Sequence, residues 1–125
     1  MERAAVEQWV SEYGRAWRTA GTEPLSDLFT PDISYLPSPW ARPLEGLDAV
    51  GEFWEAEREG PGEVFEMTSD VVAVEDDTAV VRVTVDYGEP LHARWRDLWV
   101  VMFAADGRCR AFEEWPFAPD QPDGH

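Results

Sequence analysis

Asp97, in the run Trp95-Arg96-Asp97-Leu98-Trp99, has the strongest claim to chemistry in this chain. If the run is a β-strand, side chains alternate. Trp95, Asp97 and Trp99 then share one face with Val101 and Phe103, while Arg94, Arg96 and Leu98 take the other. A carboxylate set on an aromatic face is costly to desolvate as an anion, so its pKa rises. Such an acid holds a proton near neutral pH and can give it up or take one during a reaction. The plainer alternative is an Asp at a strand edge, or one paired with a neighbouring Arg.

Other reaction types find no residues to support them. With one Cys and two His in the chain, no zinc-ligand set has a recognised spacing, and nothing resembles a calcium loop. His92, the only internal histidine, follows Gly88-Glu89-Pro90-Leu91 and reads as a solvated turn rather than a base. No serine stands in a nucleophile-elbow context, and there is no Gly-rich phosphate loop. Lysine is absent, which excludes Schiff-base chemistry through a side-chain amine. No metal and no cofactor are expected.

The elements that must position Asp97 follow from hydrophobic periodicity. Residues 3–20 read as an amphipathic helix carrying Val6, Trp9, Val10, Tyr13 and Trp17, with Gly21 as its stop. A short helix follows Pro24, capped by Thr22, with Leu25, Leu28 and Phe29 on it. Thr30-Pro31-Asp32 reads as a break before a short strand over 33–36. A rigid loop, Pro37-Ser38-Pro39-Trp40-Ala41-Arg42-Pro43, comes next. A third helix opens at Gly46-Leu47-Asp48 and ends at Gly60-Pro61-Gly62. Strands are expected over 64–74, 78–87, 93–104 and 108–117, with a hairpin at Asp106-Gly107. Helices first and antiparallel strands after give an α+β fold, in which a curled antiparallel sheet wraps over the N-terminal helices as a cone enclosing a pocket. Residues 1–118 form one domain, and 119–125 a flexible tail.

Composition narrows the partners. The 125 residues are enough for one real core, and the net charge is −16. That balance argues against nucleic acid and against anionic membranes. No apolar run is long enough to span a membrane and no signal-like region opens the chain, so a cytoplasmic protein is expected. Seven Trp, six Phe and three Tyr suit a core or a concave apolar site equally well. Arg82, Arg94, Arg96 and Arg110 should share the outer sheet face with Leu98, Val100 and Val80, an arrangement that points to a homodimer through the sheet.

Five segments, in order, carry a resemblance: Tyr13-x-x-x-Trp17; Leu28-Phe29-Thr30-Pro31-Asp32-Ile33-Ser34-Tyr35; Pro39 to Leu44-Glu45-Gly46-Leu47-Asp48-Ala49-Val50; Phe103-Ala104-Ala105-Asp106-Gly107-Arg108; and Glu114-Trp115. Together they resemble the nuclear-transport-factor-2-like superfamily, in its SnoaL-like and ketosteroid-isomerase-like branches. The resemblance implies a cone with a mostly apolar pocket and a dimer through the sheet. It also implies function among isomerases, cyclases, dehydratases, epoxide hydrolases and non-catalytic binders. Fold alone does not choose among these.

Carried over by position, the resemblance matches Tyr13 to a tyrosine that hydrogen-bonds a substrate oxygen. It puts Leu36 where ketosteroid-isomerase-like members hold their base. It puts Trp99 where they hold a second acid, two residues from Asp97. Steroid isomerisation by that arrangement is therefore not expected. Where SnoaL-like members carry a His and an Asp on the last strand, the chain has Phe112 and Glu114. Hairpin geometry alone would instead turn Cys109, Ala111, Glu113 and Trp115 inward, unless a bulge intervenes.

The expected function is a cofactor-independent acid–base enzyme acting on a small apolar or aromatic molecule. Asp97 and Glu114 would form a carboxyl pair with split pKa values, and Tyr13 would be a hydrogen-bond donor. Trp17, Tyr35, Trp40, Trp54, Trp95, Trp99 and Phe112 are expected to line the pocket, with Trp40 at its mouth. The alternative is a non-catalytic binding or protein-association module of the same fold.

Overall fold

The computed structural model of the chain describes residues 1–58 and 62–121. The chain runs α1 (Arg3–Trp17), α2 (Leu25–Leu28), β1 (Phe29–Leu36), β2 (Leu44–Glu45), α3 (Leu47–Glu57), β3 (Phe65–Glu75), β4 (Thr78–Tyr87), β5 (Ala93–Phe103) and β6 (Cys109–Phe117). The helix stop expected at Gly60-Pro61-Gly62 falls mostly outside the described residues. So does the end of the expected tail, which is described only to a turn over 118–121.

Helix α1 buries Val6, Trp9, Val10, Tyr13 and Ala16, the three-and-four spacing of one helical face. It stops at Trp17, short of the expected residue 20. Helix α2 lacks the side-chain cap expected of Thr22. The Thr22 carbonyl instead accepts the Leu25 N–H at 3.1 Å. Thr30-Pro31-Asp32 does not break the chain; it lies inside β1, at a register irregularity between Phe29 and Ser34 that accommodates a proline.

The sheet order is β2-β1-β6-β5-β4-β3. All pairs are antiparallel except β1–β6, which is parallel. This seam refines the expected antiparallel sheet. A parallel pair needs a long crossover, and here α3 and β3 to β5 all lie between the two strands in sequence. The sheet curls over α1 without closing, and gives the expected α+β cone.

Alternation fills the inner face. Ala79, Val81, Val83 and Val85 on β4 and Trp99, Val101 and Phe103 on β5 are buried. Trp9 of α1 sits among aromatic rings, with Tyr13, Phe29 and Phe103 at centroid distances of 5.7, 5.8 and 5.7 Å. Its Nε1 donates to the Leu28 carbonyl at 3.0 Å. Each such aromatic pair adds about 0.5–1.5 kcal/mol beyond the area it buries.

The last hairpin holds the feature that fixes the site. Phe103 pairs with Cys109, but Met102 pairs with Ala111, so Arg110 is surplus on β6. This is a β-bulge, and it flips the phase of the strand. Cys109 points into the core before it, and Phe112 points into the core after it. The alternatives left open by the hairpin are thereby resolved. Glu114 faces inward, while Glu113 accepts the Trp115 Nε1–H at 2.6 Å.

On the outer face, Arg82 pairs with Asp70 at 3.4 Å, Arg94 with Asp86 at 3.1 Å and Arg110 with Asp77 at 3.0 Å. Leu98, Trp115 and Phe117 are exposed there. Among the described residues, no helix is long and apolar enough to cross a membrane.

Candidate active site

A cavity of about 290 Å³ opens between the curled sheet and the helices. Each element contributes to its wall through its inward positions. Tyr13 and Trp17 come from α1, Tyr35 from β1, Phe53 and Glu57 from α3, and Phe65 and Met67 from β3. Val85 and Tyr87 come from β4, Trp95, Asp97 and Trp99 from β5, and Glu114 and Pro116 from β6. Pro37, Glu63 and His92 complete it from loops.

Strand register sets the depth of each group. Val101 lies opposite Phe112, Trp99 opposite Glu114, and Asp97 opposite Pro116. The cavity begins at the Trp99–Glu114 row, because Val101 and Phe112 are already closed core. Asp97 and Glu114 are therefore diagonal cross-strand neighbours on one face, within reach of each other for long side chains. The two carboxyls interact side chain to side chain.

No arginine forms an ion pair with either carboxyl among the described residues. Asp97 is 7% exposed, and its Oδ1 has no hydrogen-bond partner among the described residues. Burial raises the Asp97 pKa, while Glu114 and the Trp99 indole beside it favour its charged form. Glu114 is raised further, first by burial and then by its hydrogen bond to Asp97 and the charges of Asp97 and Glu57. Such a pair titrates as a unit. The pair as a whole holds a proton above the ordinary carboxylate range, with Glu114 the more strongly raised of the two.

This proton has a cost that can be measured. A carboxyl whose folded pKa lies above its unfolded value stabilises the fold most below the unfolded value, and loses that contribution as pH rises through the folded one. Glu114→Gln should therefore melt higher than the wild type at about pH 7–8, and the difference should shrink towards about pH 4, where an unfolded Glu titrates. Thermal melts across pH check this. A variant that melts lower than the wild type at every pH would contradict the raised Glu114.

The Tyr13 and Tyr35 hydroxyls face each other at 3.2 Å. Burial is the first cause that raises both, followed for Tyr13 by Tyr35 and Glu114, and for Tyr35 by Glu114. Both phenols therefore keep their protons and remain donors. Cys109 is no nucleophile: burial pushes its thiol up to about 12, and it is closed off in the core. No group of three His, Cys, Asp or Glu side chains that could hold a metal ion occurs among the described residues.

The structure brings Tyr13, Trp17, Tyr35, Trp95, Asp97, Trp99 and Glu114 together around the cavity. Three expected wall residues lie elsewhere. Trp40 is 99% exposed in a turn beyond Pro37 and does not line the cavity. Trp54 is buried behind the wall, its ring 5.0 Å from Tyr13 and 4.8 Å from Trp17. Phe112 is stacked beneath Tyr35 at 4.8 Å, one row deeper than the cavity reaches. Glu57, Glu63 and His92 line it without having been expected to. His92 does lie in an exposed turn, as its flanking residues indicated, but that turn borders the opening.

Comparison with known proteins agrees with this architecture. Solved structures that share it include the following three. A candidate SnoaL-like polyketide cyclase from Jannaschia sp. CCS1 is 18% identical, with a TM-score of 0.68 over 88% of this chain and 85% of the other. SalBIII, an epoxide hydrolase/cyclase-like enzyme of pyran ring formation in the polyether salinomycin, is 14% identical, with a TM-score of 0.70 over 89% of each chain. A candidate ketosteroid isomerase from Kribbella flavida DSM 17836 is 18% identical, with a TM-score of 0.68 over 98% of this chain and 82% of the other. At these identities the likeness is one of fold. No curated protein matches by sequence. The SnoaL-like domain matches residues 7–112, from the first helix into the start of the last strand, just past its bulge. The chain therefore belongs to the SnoaL-like family, within the nuclear-transport-factor-2-like fold.

Proposed function

We propose that this protein is a cofactor-independent acid–base enzyme of the cyclase, isomerase, dehydratase or hydrolase type, acting on a small, mostly apolar or aromatic molecule held in the cone. One observation carries the reading: two interacting carboxyls, free of arginine, at the floor of an aromatic cavity. Asp97, the easier of the two to ionise, takes a proton from the attacking hydroxyl or acidic carbon. Glu114 gives its proton to the oxygen that gains charge or leaves. Of the hydrogen-bonded Tyr13–Tyr35 pair, the hydroxyl that does not donate to the other offers a hydrogen bond to that oxygen. One turnover leaves the proton on Asp97 and the charge on Glu114, and direct contact between the carboxyls returns the pair to its starting state. SalBIII, whose fold the chain shares, is described as epoxide hydrolase/cyclase-like, and that chemistry needs one acid and one base.

The test is a panel of small epoxides and enolisable ketones, followed by NMR for ring opening and for exchange of carbon-bound hydrogen with deuterated solvent. The wild type should accelerate at least one of them, and the double variant D97N/E114Q should not. Acceleration that survives the double replacement would move the activity away from this pair. The proposal includes a homodimer through the outer sheet face, supported by exposed Leu98, Trp115 and Phe117 there. Sedimentation as a monomer would remove that part.

A further inference from the structure

The cavity has a charge as well as a shape. Among the described residues four carboxyls line it: Glu57, Glu63, Asp97 and Glu114. No arginine lines it among the described residues, and the residues outside that set, 59–61 and 122–125, include no Arg. Among the described residues His92, at the mouth, is the one lining side chain able to carry positive charge. Two arginines packed against aromatic rings at or behind the wall are engaged elsewhere. Arg18 lies 4.0 Å over the Phe65 ring and donates to the Gly14 and Phe65 carbonyls, each at 3.3 Å. Arg58 is buried against the Ala16, Thr19 and Gly21 carbonyls and Glu55.

Even with one proton shared between Asp97 and Glu114, the site keeps an excess of negative charge. Tyr87 lies close enough to all four carboxyls to feel them. Its phenol is raised first by burial and then by Glu63, Glu114, Asp97 and Glu57. Asp97 adds a geometric sign: its Oδ1, on the cavity wall, has no hydrogen-bond partner among the described residues, on a residue only 7% exposed. The surrounding walls are the faces and edges of Trp17, Tyr87, Trp95 and Trp99. Aromatic faces attract cations as well as apolar groups. A neutral hydrocarbon uses the rings and has no use for the charge, and an anion is repelled by it.

Resting on the reading of this cavity as a ligand site, we infer that its ligand carries a positive charge: an amine or alkylated ammonium on an apolar or aromatic body. The body lies against the tryptophans. The charged end is held near the mouth between Glu57 and Glu63, where the Trp17 Nε1–H fixes Glu63 at 3.2 Å.

Three probes of one shape test this: benzyltrimethylammonium, its neutral isostere neopentylbenzene, and benzylsulfonate. Each is titrated into the full chain at about pH 8, where free amines of ordinary pKa remain charged, and followed by tryptophan fluorescence. The ammonium should bind about tenfold or more tighter than the neutral isostere, the scale of one desolvated cation–π contact, and the sulfonate weakest. The double variant E57Q/E63Q removes both charges, and its side-chain amide oxygens can still accept from Trp17. There the ratio of ammonium to neutral binding should fall to about threefold or less. Equal or tighter binding of the neutral probe overturns the inference, and so does a ratio unchanged by E57Q/E63Q. Both outcomes leave the acid–base reading standing. If no probe of any charge binds, the ligand-site reading falls with it.

Discussion

Replacing Asp97 with asparagine is expected to lower turnover by about 10²–10⁴-fold, the usual contribution of one positioned acid or base. The exchange keeps the shape of the side chain and removes only its ability to change protonation. Little structure is at stake, because Asp97 Oδ1 has no hydrogen-bond partner to lose among the described residues and no arginine is left behind unpaired. By the same linkage as at Glu114, removing a carboxyl whose folded pKa is raised should leave the melting temperature at neutral pH unchanged or higher, so lost activity cannot be put down to unfolding. The pH profile carries the sharper signature. Asp97 is one of the causes that hold Glu114 up, after burial itself. Without the Asp97 charge, Glu114 should give up its proton at a lower pH. The alkaline limb of the residual activity, which follows loss of the proton from the acid, should then move to lower pH. Undiminished turnover in D97N would take Asp97 out of the mechanism.

What the sequence made legible here was the face each residue takes, far more than its depth or its partner. The alternation of Trp95, Asp97, Trp99, Val101 and Phe103 is a period-2 signal written along one strand, and the buried face follows it directly. Phe112 and Trp54 were correctly inward, yet they lie behind the cavity. Depth depends on which row of the neighbouring strand or helix a residue meets, and periodicity does not encode that. Trp40 sits in a proline-rich loop with no periodicity at all, so its outward direction had no signal. Glu57 and Glu63 had none either, since charged residues at a helix end and before a strand read as solvated. The parallel β1–β6 seam joins segments that are distant in sequence, and nothing local in either announces the other. Glu114 is the intermediate case. The family resemblance placed it inward, hairpin geometry placed it outward, and a single surplus residue decided between them.

Deleting that residue should therefore have a larger effect than any substitution at the same place. Without Arg110, β6 faces two outcomes, and both are costly. If the strand keeps its pairing at Cys109, every residue after the deletion flips face, because the side-chain period is two. Phe112, now 2% exposed and stacked on Tyr13 and Tyr35, would turn to solvent, and Glu114 would leave the cavity. Losing a core phenylalanine of this kind costs about 3–5 kcal/mol, a large part of the stability of a small domain. If the strand instead keeps Phe112 inward, Cys109 and the hairpin must shift by one residue. The buried Cys109 would then be displaced, along with the turn bonds of Ala104 to Arg108 and of Gly107 to Ala104. Arg110→Ala is the control. It keeps the extra residue and loses only an exposed contact with Asp77, whose carboxyl the Arg110 hydrogen bond holds below its usual range. Denaturant melts should place R110A close to the wild type and the deletion far below it. If the deletion folds, Glu114→Gln made on top of it should no longer raise the melting point at neutral pH. A deletion variant as stable as R110A would mean that the phase of β6, and with it the place of Glu114 beside Asp97, is set by something other than the bulge.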